Sequence, residues 1–196
     1  MSVVSRLCKV RDSFINDLYF QRYKPIFEEK PDIRGSIHMF SDRGAISFGK
    51  GVRINSSLRS NPVRGKEGTV LYAFPGGKIT FGNNCGISNS TFVSRESITI
   101  EDDVFIGGDC KIYDSDFHSL NYAERISGHD TNMLSKPVVI KKGAFIGADS
   151  IILKGVVIGE KSIIGAGSVV TKNVPDGEIW AGNPARFLKK IEDIEP

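Results

Sequence analysis

Residues 138–170 read VVIKKGAFIGADSIILKGVVIGEKSIIGAGSVV. An aliphatic residue returns every six positions: Ile140, Ile146, Ile152, Ile158, Ile164 and Val170. A second series runs four positions later through Ala144, Ser150, Val156, Ser162, Ser168 and Val174, all small or β-branched. A period of six fits neither a helix at 3.6 residues per turn nor a long strand of period two. It fits short strands joined by corners, three to an 18-residue turn, so that Ile140 underlies Ile158 and Ile146 underlies Ile164. One turn cannot bury its apolar column alone, so turns stack and hydrogen bonds run between them. The spacing predicts an all-β fold, a parallel β-helix of hexapeptide repeats.

The rhythm extends upstream. Phe81, Ile87 and Val93 are six apart, one extra residue intervenes, and Ile100, Ile106 and Ile112 continue it. The small positions there are Cys85, Thr91, Val104 and Cys110, and a fainter trace at Phe48 and Ile54 opens the array. Two stretches break it. Residues 57–78, with Pro62, Arg64, Gly65, Lys66 and Gly68, read as an exposed loop. Between Ile112 and Ile140 lie 28 positions, four more than four hexads, so the chain leaves the coil there. A loop on a stiff solenoid is where function concentrates.

The ends differ from the coil. Val4, Leu7, Phe14, Ile15 and Leu18 have helical spacing, and Pro25 and Pro31 close that segment. The helix is expected to pack on the body or on a neighbouring subunit. Membrane contact is the alternative, since Arg6, Lys9 and Arg11 could face anionic lipid. At the other end Phe187, Leu188, Ile191 and Ile194 suggest a short helix covering the last coil. The expected division is a helical segment over 1–32, the β-helix over 33–178 with 113–138 extruded, and a cap over 179–196. A chain of 196 residues suits one domain with small appendages. A net charge of +3 argues against nucleic acid as a partner. Three cysteines, no signal peptide and no long apolar run point to a soluble protein of the reducing cytoplasm.

Three histidines occur, His38, His118 and His129, the nearest pair eleven apart. Zinc enzymes on similar β-helices use three histidines with two close in sequence, so no metal is expected. His118 is the best candidate for chemistry. It lies where the repeat breaks, beside Asp114 and Asp116, either of which could fix its tautomer. By counting, it is 18 positions after Ile100, where it could also point into the column. Burying a lone imidazole there would cost roughly 1–3 kcal/mol, which eviction into a loop avoids.

Asp116-Phe117-His118-Ser119-Leu120 resembles the histidine loop of the maltose and galactoside O-acetyltransferase branch of the hexapeptide-repeat acyltransferases, especially its polysaccharide-modifying members. In the sugar acetyltransferases proper the histidine falls one residue earlier. The resemblance implies a left-handed helix, an exception to the usual crossover rule, and homotrimers with active sites between subunits. It implies acetyl-CoA as acyl donor and a sugar or glycan hydroxyl as acceptor, with His118 as general base. It places Ala148 at the oxyanion N–H, where serine is common, and aligns Ala166, Thr171, Lys172, Arg186 and Lys189 with the coenzyme A positions. Ser88 or Asn89 matches an acceptor-binding asparagine, and Arg125 lies in the loop that would shape the acceptor site. The rival enzyme reading is N-acyl transfer to a nucleotide-linked amino sugar or an antibiotic. A non-catalytic scaffold is the rival of another class.

Overall fold

The computed structural model describes residues 3–61, 63, 68–128 and 130–193, with the backbone alone at 3–5. Val4, Pro62, Arg64, Gly65, Lys66, His129 and Ile194, invoked above, lie outside the described residues or side chains.

Helix α1 (Val3–Tyr23) precedes a stack of six coils. Each coil gives one short strand to each of three sheets. Coil 1 holds β1 (Ile26–Phe27), β2 (Asp32–Gly35) and β3 (His38–Phe40). Coil 2 holds β4 (Ile46–Phe48), β5 (Arg53–Ser56) and β6 (Val70–Ala73), and coil 3 holds β7 (Lys78–Phe81), β8 (Gly86–Ser88) and β9 (Thr91–Ser94). Coil 4 holds β10 (Ser97–Ile100), β11 (Phe105–Ile106) and β12 (Lys111–Tyr113). After a loop containing α2 (Tyr122–Ile126), coil 5 holds β13 (Val138–Ile140), β14 (Phe145–Ile146) and β15 (Ile151–Ile152). Coil 6 holds β16 (Val157–Ile158), β17 (Ile163–Ile164) and β18 (Val169–Val170). The first sheet runs β1-β4-β7-β10-β13-β16, the third β3-β6-β9-β12-β15-β18, and all pairings between coils are parallel. The result is a left-handed β-helix, a triangular prism with three corners.

The aliphatic columns form the core. Ile140, Ile146, Ile152, Ile158, Ile164 and Val170 are fully buried, and the small series from Ala144 to Val174 fills the corners. Ile140 pairs with Ile158 and Ile146 with Ile164. In coil 3 the column slips by one residue. Phe92 pairs with Ile112 and is buried with Ser90, whereas Val93 and Thr91 face outward. The extra residue before Ile100 is taken up after that slip. Cys85 and Cys110 are column residues, and burial pushes both thiols up to about 11.

Coil 1 extends the array beyond the trace at Phe48 and Ile54: Phe27, Ile33 and Met39 are six apart and pair in register with Phe48, Ile54 and Leu71. The β-pattern therefore begins at Ile26, inside the segment expected to be helical. The apolar residues picked out by helical spacing are mostly not its packing face. Leu7, Phe14 and Leu18 are exposed, while Asn16, Tyr19, Phe20 and Tyr23 meet the body. Asn16 clamps the first coil, donating to Gly35 O at 2.9 Å and accepting from Ile37 N at 3.0 Å.

The C-terminal segment is a strand, not the expected helix. β19 (Glu178–Gly182) extends the second sheet, β2-β5-β8-β11-β14-β17, and β20 (Ala185–Lys190) folds back antiparallel on it before a 3-10 turn at Ile191–Asp193. The top rung presents open backbone groups, and pairing satisfies them where a helix would not.

Candidate active site at two corners of the prism

The loop over 114–137 leaves from the corner between the third and first sheets. Its root follows from strand alternation: Ile112 faces in, Tyr113 out, and Asp114 in again. Asp114 is fully buried and accepts from Arg95 N at 2.8 Å and Glu96 N at 2.9 Å, with Ser94 Oγ 2.7 Å away. Its carboxylate is consumed in tying the loop to the coil below. Asp116 forms a 2.9 Å ion pair with Lys154 of the coil above. Neither contacts His118, which corrects both expected partners. Phe117, at φ +61°, turns the chain outward, and Ser115 Oγ accepts its N–H.

His118 therefore stands outside the prism, its side chain 74% exposed. Its partner is Asp130, with Oδ2 2.6 Å from His118 Nδ1 and Oδ1 accepting from Ser119 N at 2.6 Å. Those contacts, the Ser119 N–H first and the imidazole second, hold the Asp130 carboxyl below the usual carboxylate range. With Nδ1 engaged, Nε2 is the ring nitrogen without a hydrogen bond among the described residues. Asp130 lies twelve positions away along an irregular loop, and no spacing rule points to it. Arg125, expected at the acceptor, donates instead to Ser119 O at 2.7 Å and braces the same turn.

Thr171 and Lys172 are exposed at this third-to-first corner, two coils above the loop's root. Ala148 and Ala166 lie at a different corner, between the second and third sheets. There the turns are so close that a Cβ on Gly107 would sit 2.6 Å from Ala148 N and one on Gly147 2.5 Å from Ala166 N. Those glycines keep the edge smooth. Asn89 stands two coils below at the same corner, at φ +41° and 2% exposed, with neither amide atom bonded among the described residues. Ser88 beside it lines a cleft of about 250 Å³ with Arg53, Asn55, Phe105 and Phe145. Arg186 and Lys189 are exposed on β20. One chain thus carries its imidazole at one edge of the third sheet and its small-residue corner at the other. The strand between them, from Asp109 to Asp114, spans roughly 17 Å.

Two family descriptions match: the bacterial transferase hexapeptide (six repeats) over residues 137–172, and the hexapeptide repeat of succinyl-transferase over 97–112. The chain is 41% identical over 155 residues to gamma carbonic anhydrase 2, mitochondrial, of Arabidopsis thaliana, covering 79% of this chain and 39% of that protein. It thus spans about two fifths of the length of the curated relatives it matches. Among solved structures, AntD, an N-acyltransferase from Bacillus cereus in complex with dTDP and 3-hydroxybutyryl-CoA, is 23% identical with a TM-score of 0.66, covering 89% of this chain and 86% of that one. The polySia-specific acetyltransferase NeuO is 24% identical with a TM-score of 0.61, covering 85% and 66%. At that identity the two structures share the fold. The repeat matches and the solved structures show a hexapeptide-repeat chain with the left-handed β-helix fold.

Zinc enzymes on similar β-helices hold the metal with three histidines. A zinc ion holds imidazole nitrogens at about 2.0–2.1 Å. His38 lies on β3 and His118 past β12, three strands apart in one sheet, or roughly 14 Å. His118 Nδ1 already faces Asp130. Among the described residues no three histidine, cysteine or acidic side chains gather to hold an ion. Among the described residues of one chain, which leave out His129, the donor set does not fit zinc.

Proposed function

We propose that this protein transfers an acetyl group from acetyl-CoA to a hydroxyl of a sugar or glycan, in a site built from two copies of the chain. The observation that carries the reading is the exposed His118–Asp130 pair on a loop rooted in a rigid coil. An alcohol is a weak nucleophile near neutral pH. His118 Nε2 takes its proton as the oxygen attacks the thioester carbonyl, an ester C–O bond forms, the C–S bond breaks, and the proton passes to the departing thiolate. Such acid–base help contributes about 10²–10⁴-fold. Asp130 fixes the tautomer and stabilises the imidazolium. The Ala148 N–H faces the developing oxyanion.

The pantetheine arm lies against the smooth corner at Ala148 and Ala166, with Thr171, Lys172, Arg186 and Lys189 about the nucleotide end. Since the two corners of one chain lie at opposite edges of a sheet, a neighbour's Ala148 corner completes the site at this chain's His118. A homotrimer with parallel prisms provides three such sites. Asn89, at the same corner below Ala148, then faces the acceptor from the neighbour.

The test is thiol release from acetyl-CoA over a panel of glycans and nucleotide amino sugars. His118→Ala is expected to lose about 10²–10⁴-fold in kcat with unfolding unchanged, and undiminished turnover would refute the base. AntD, an N-acyltransferase, favours N-acylation as the second reading, and the amino-sugar arm decides between them. Tightly bound zinc required for turnover would replace both.

A further inference from the structure

Arg95 stands at the third-to-first corner, one coil below the root of the His118 loop. Its guanidinium carbon lies 4.1 Å above the centroid of the Phe74 ring. Its Nε is buried with no hydrogen-bond partner, and no ion pair among the described residues includes it. The residue is nonetheless fixed, because its backbone N–H is bonded to Asp114. Each carboxylate of the neighbouring loop has another partner: Asp114 the backbone, Asp116 Lys154 through Oδ1, Glu124 Asn132 through Oε1, and Asp130 Ser119 and His118.

Phe74 continues toward the imidazole. Its ring centroid is 6.3 Å from that of Phe117, which stands 5.6 Å from Tyr113 and immediately precedes His118. The half-buried rings make a short shelf with an unpaired planar cation at one end and the His118 loop at the other. Arg95 is half-buried, and its Nε, shut off from solvent with no partner, is an unfavourable placement for a polar atom.

On the acetyl-transfer reading, we infer that Arg95 anchors an oxyanion of the acceptor, a sugar carboxylate or a nucleotide phosphate, while the shelf carries the sugar ring and presents its hydroxyl to His118. A guanidinium held flat on a ring keeps its fork free for bidentate contact with either group, and a lysine ammonium would not replace it. The acceptor is thereby an acidic glycan or a nucleotide sugar rather than a neutral one.

The test uses oligogalacturonate, its carboxyl-reduced form and UDP-N-acetylglucosamine, with wild type and Arg95→Gln. Thiol release from acetyl-CoA is read beside calorimetric binding without acetyl-CoA. Wild type is expected to prefer an anionic probe, and which one identifies the source of the oxyanion. Arg95→Gln is expected to raise KM for that probe about tenfold or more with kcat kept, and to leave the carboxyl-reduced form unaffected. Equal use of charged and neutral probes by wild type, or equal losses on both in the variant, overturns the inference. Should no thiol be released, the transfer reading falls, and binding still decides: an anionic probe held by wild type and lost in Arg95→Gln supports the anchor, and no binding refutes it.

Discussion

Coils 5 and 6 and the coil 4 to coil 5 junction obey one stacking rule and use it differently. From Ile140 to Ile158 the chain returns to the same column in 18 residues. From Ile98 to Val138 it takes 40, yet both residues are fully buried and paired in register. The extra chain leaves and returns at one corner, where the backbone turns anyway, so the column is undisturbed. The regular part supplies stiffness, and the interrupted part supplies both His118 and its partner Asp130.

Stability should follow that division. Ile146→Ala removes a fully buried column residue and should cost about 2–5 kcal/mol in chemical denaturation. Leu120→Ala, at a position 72% exposed in the loop, should stay within about 0.5 kcal/mol. Comparable losses at both would break the comparison.

Within the loop, Asp130→Asn keeps the shape but loses the charge facing Nδ1 and should lower kcat about 10–10²-fold with KM nearly unchanged. Asp116→Asn, whose partner is Lys154, should have the smaller effect, and the reverse order would restore the partner first expected from sequence. A pH series sharpens this. Because the folded state holds the Asp130 carboxyl below its ordinary value, that contribution to stability is complete above the usual carboxylate range and fades as pH falls through the lowered value. Unfolding midpoints of wild type and Asp130→Asn should therefore differ more at neutral pH than in acid. The smallest effect concerns the thiols. Cys85 and Cys110, buried and raised to about 11, should resist alkylation in the native protein, whereas half-buried Cys8 reacts.

The hexad columns made most of the prism legible, because the buried aliphatics of coils 4 to 6 repeat at a fixed spacing within each coil. Coil 1 keeps the same spacing at Phe27, Ile33 and Met39, but Phe48 follows Met39 by nine residues rather than six, so the trace is lost between the first coil and the second. The terminal strand was misread because the spacing of Phe187, Leu188 and Ile191 suits a helix, while the open edge of β19 decides otherwise. His118 was visible as a polar residue where the column lapses. Its partner was not: adjacency in sequence pointed to Asp114 and Asp116, strand alternation turned the first inward, and a loop fold with no periodicity delivered Asp130.

That one catalytic centre draws on the third-to-first corner of one chain and the second-to-third corner of another is tested most directly by mixing two inactive variants. His118→Ala removes the base, and Ala166→Tyr fills the opposite corner. After unfolding and refolding an equal mixture together, about a quarter of sites in a random trimer should pair an intact histidine with an intact corner. The account predicts about that fraction of wild-type thiol release from the mixture and almost none from either variant alone. A mixture as inactive as its components, from trimers shown to contain both chains, would contradict it.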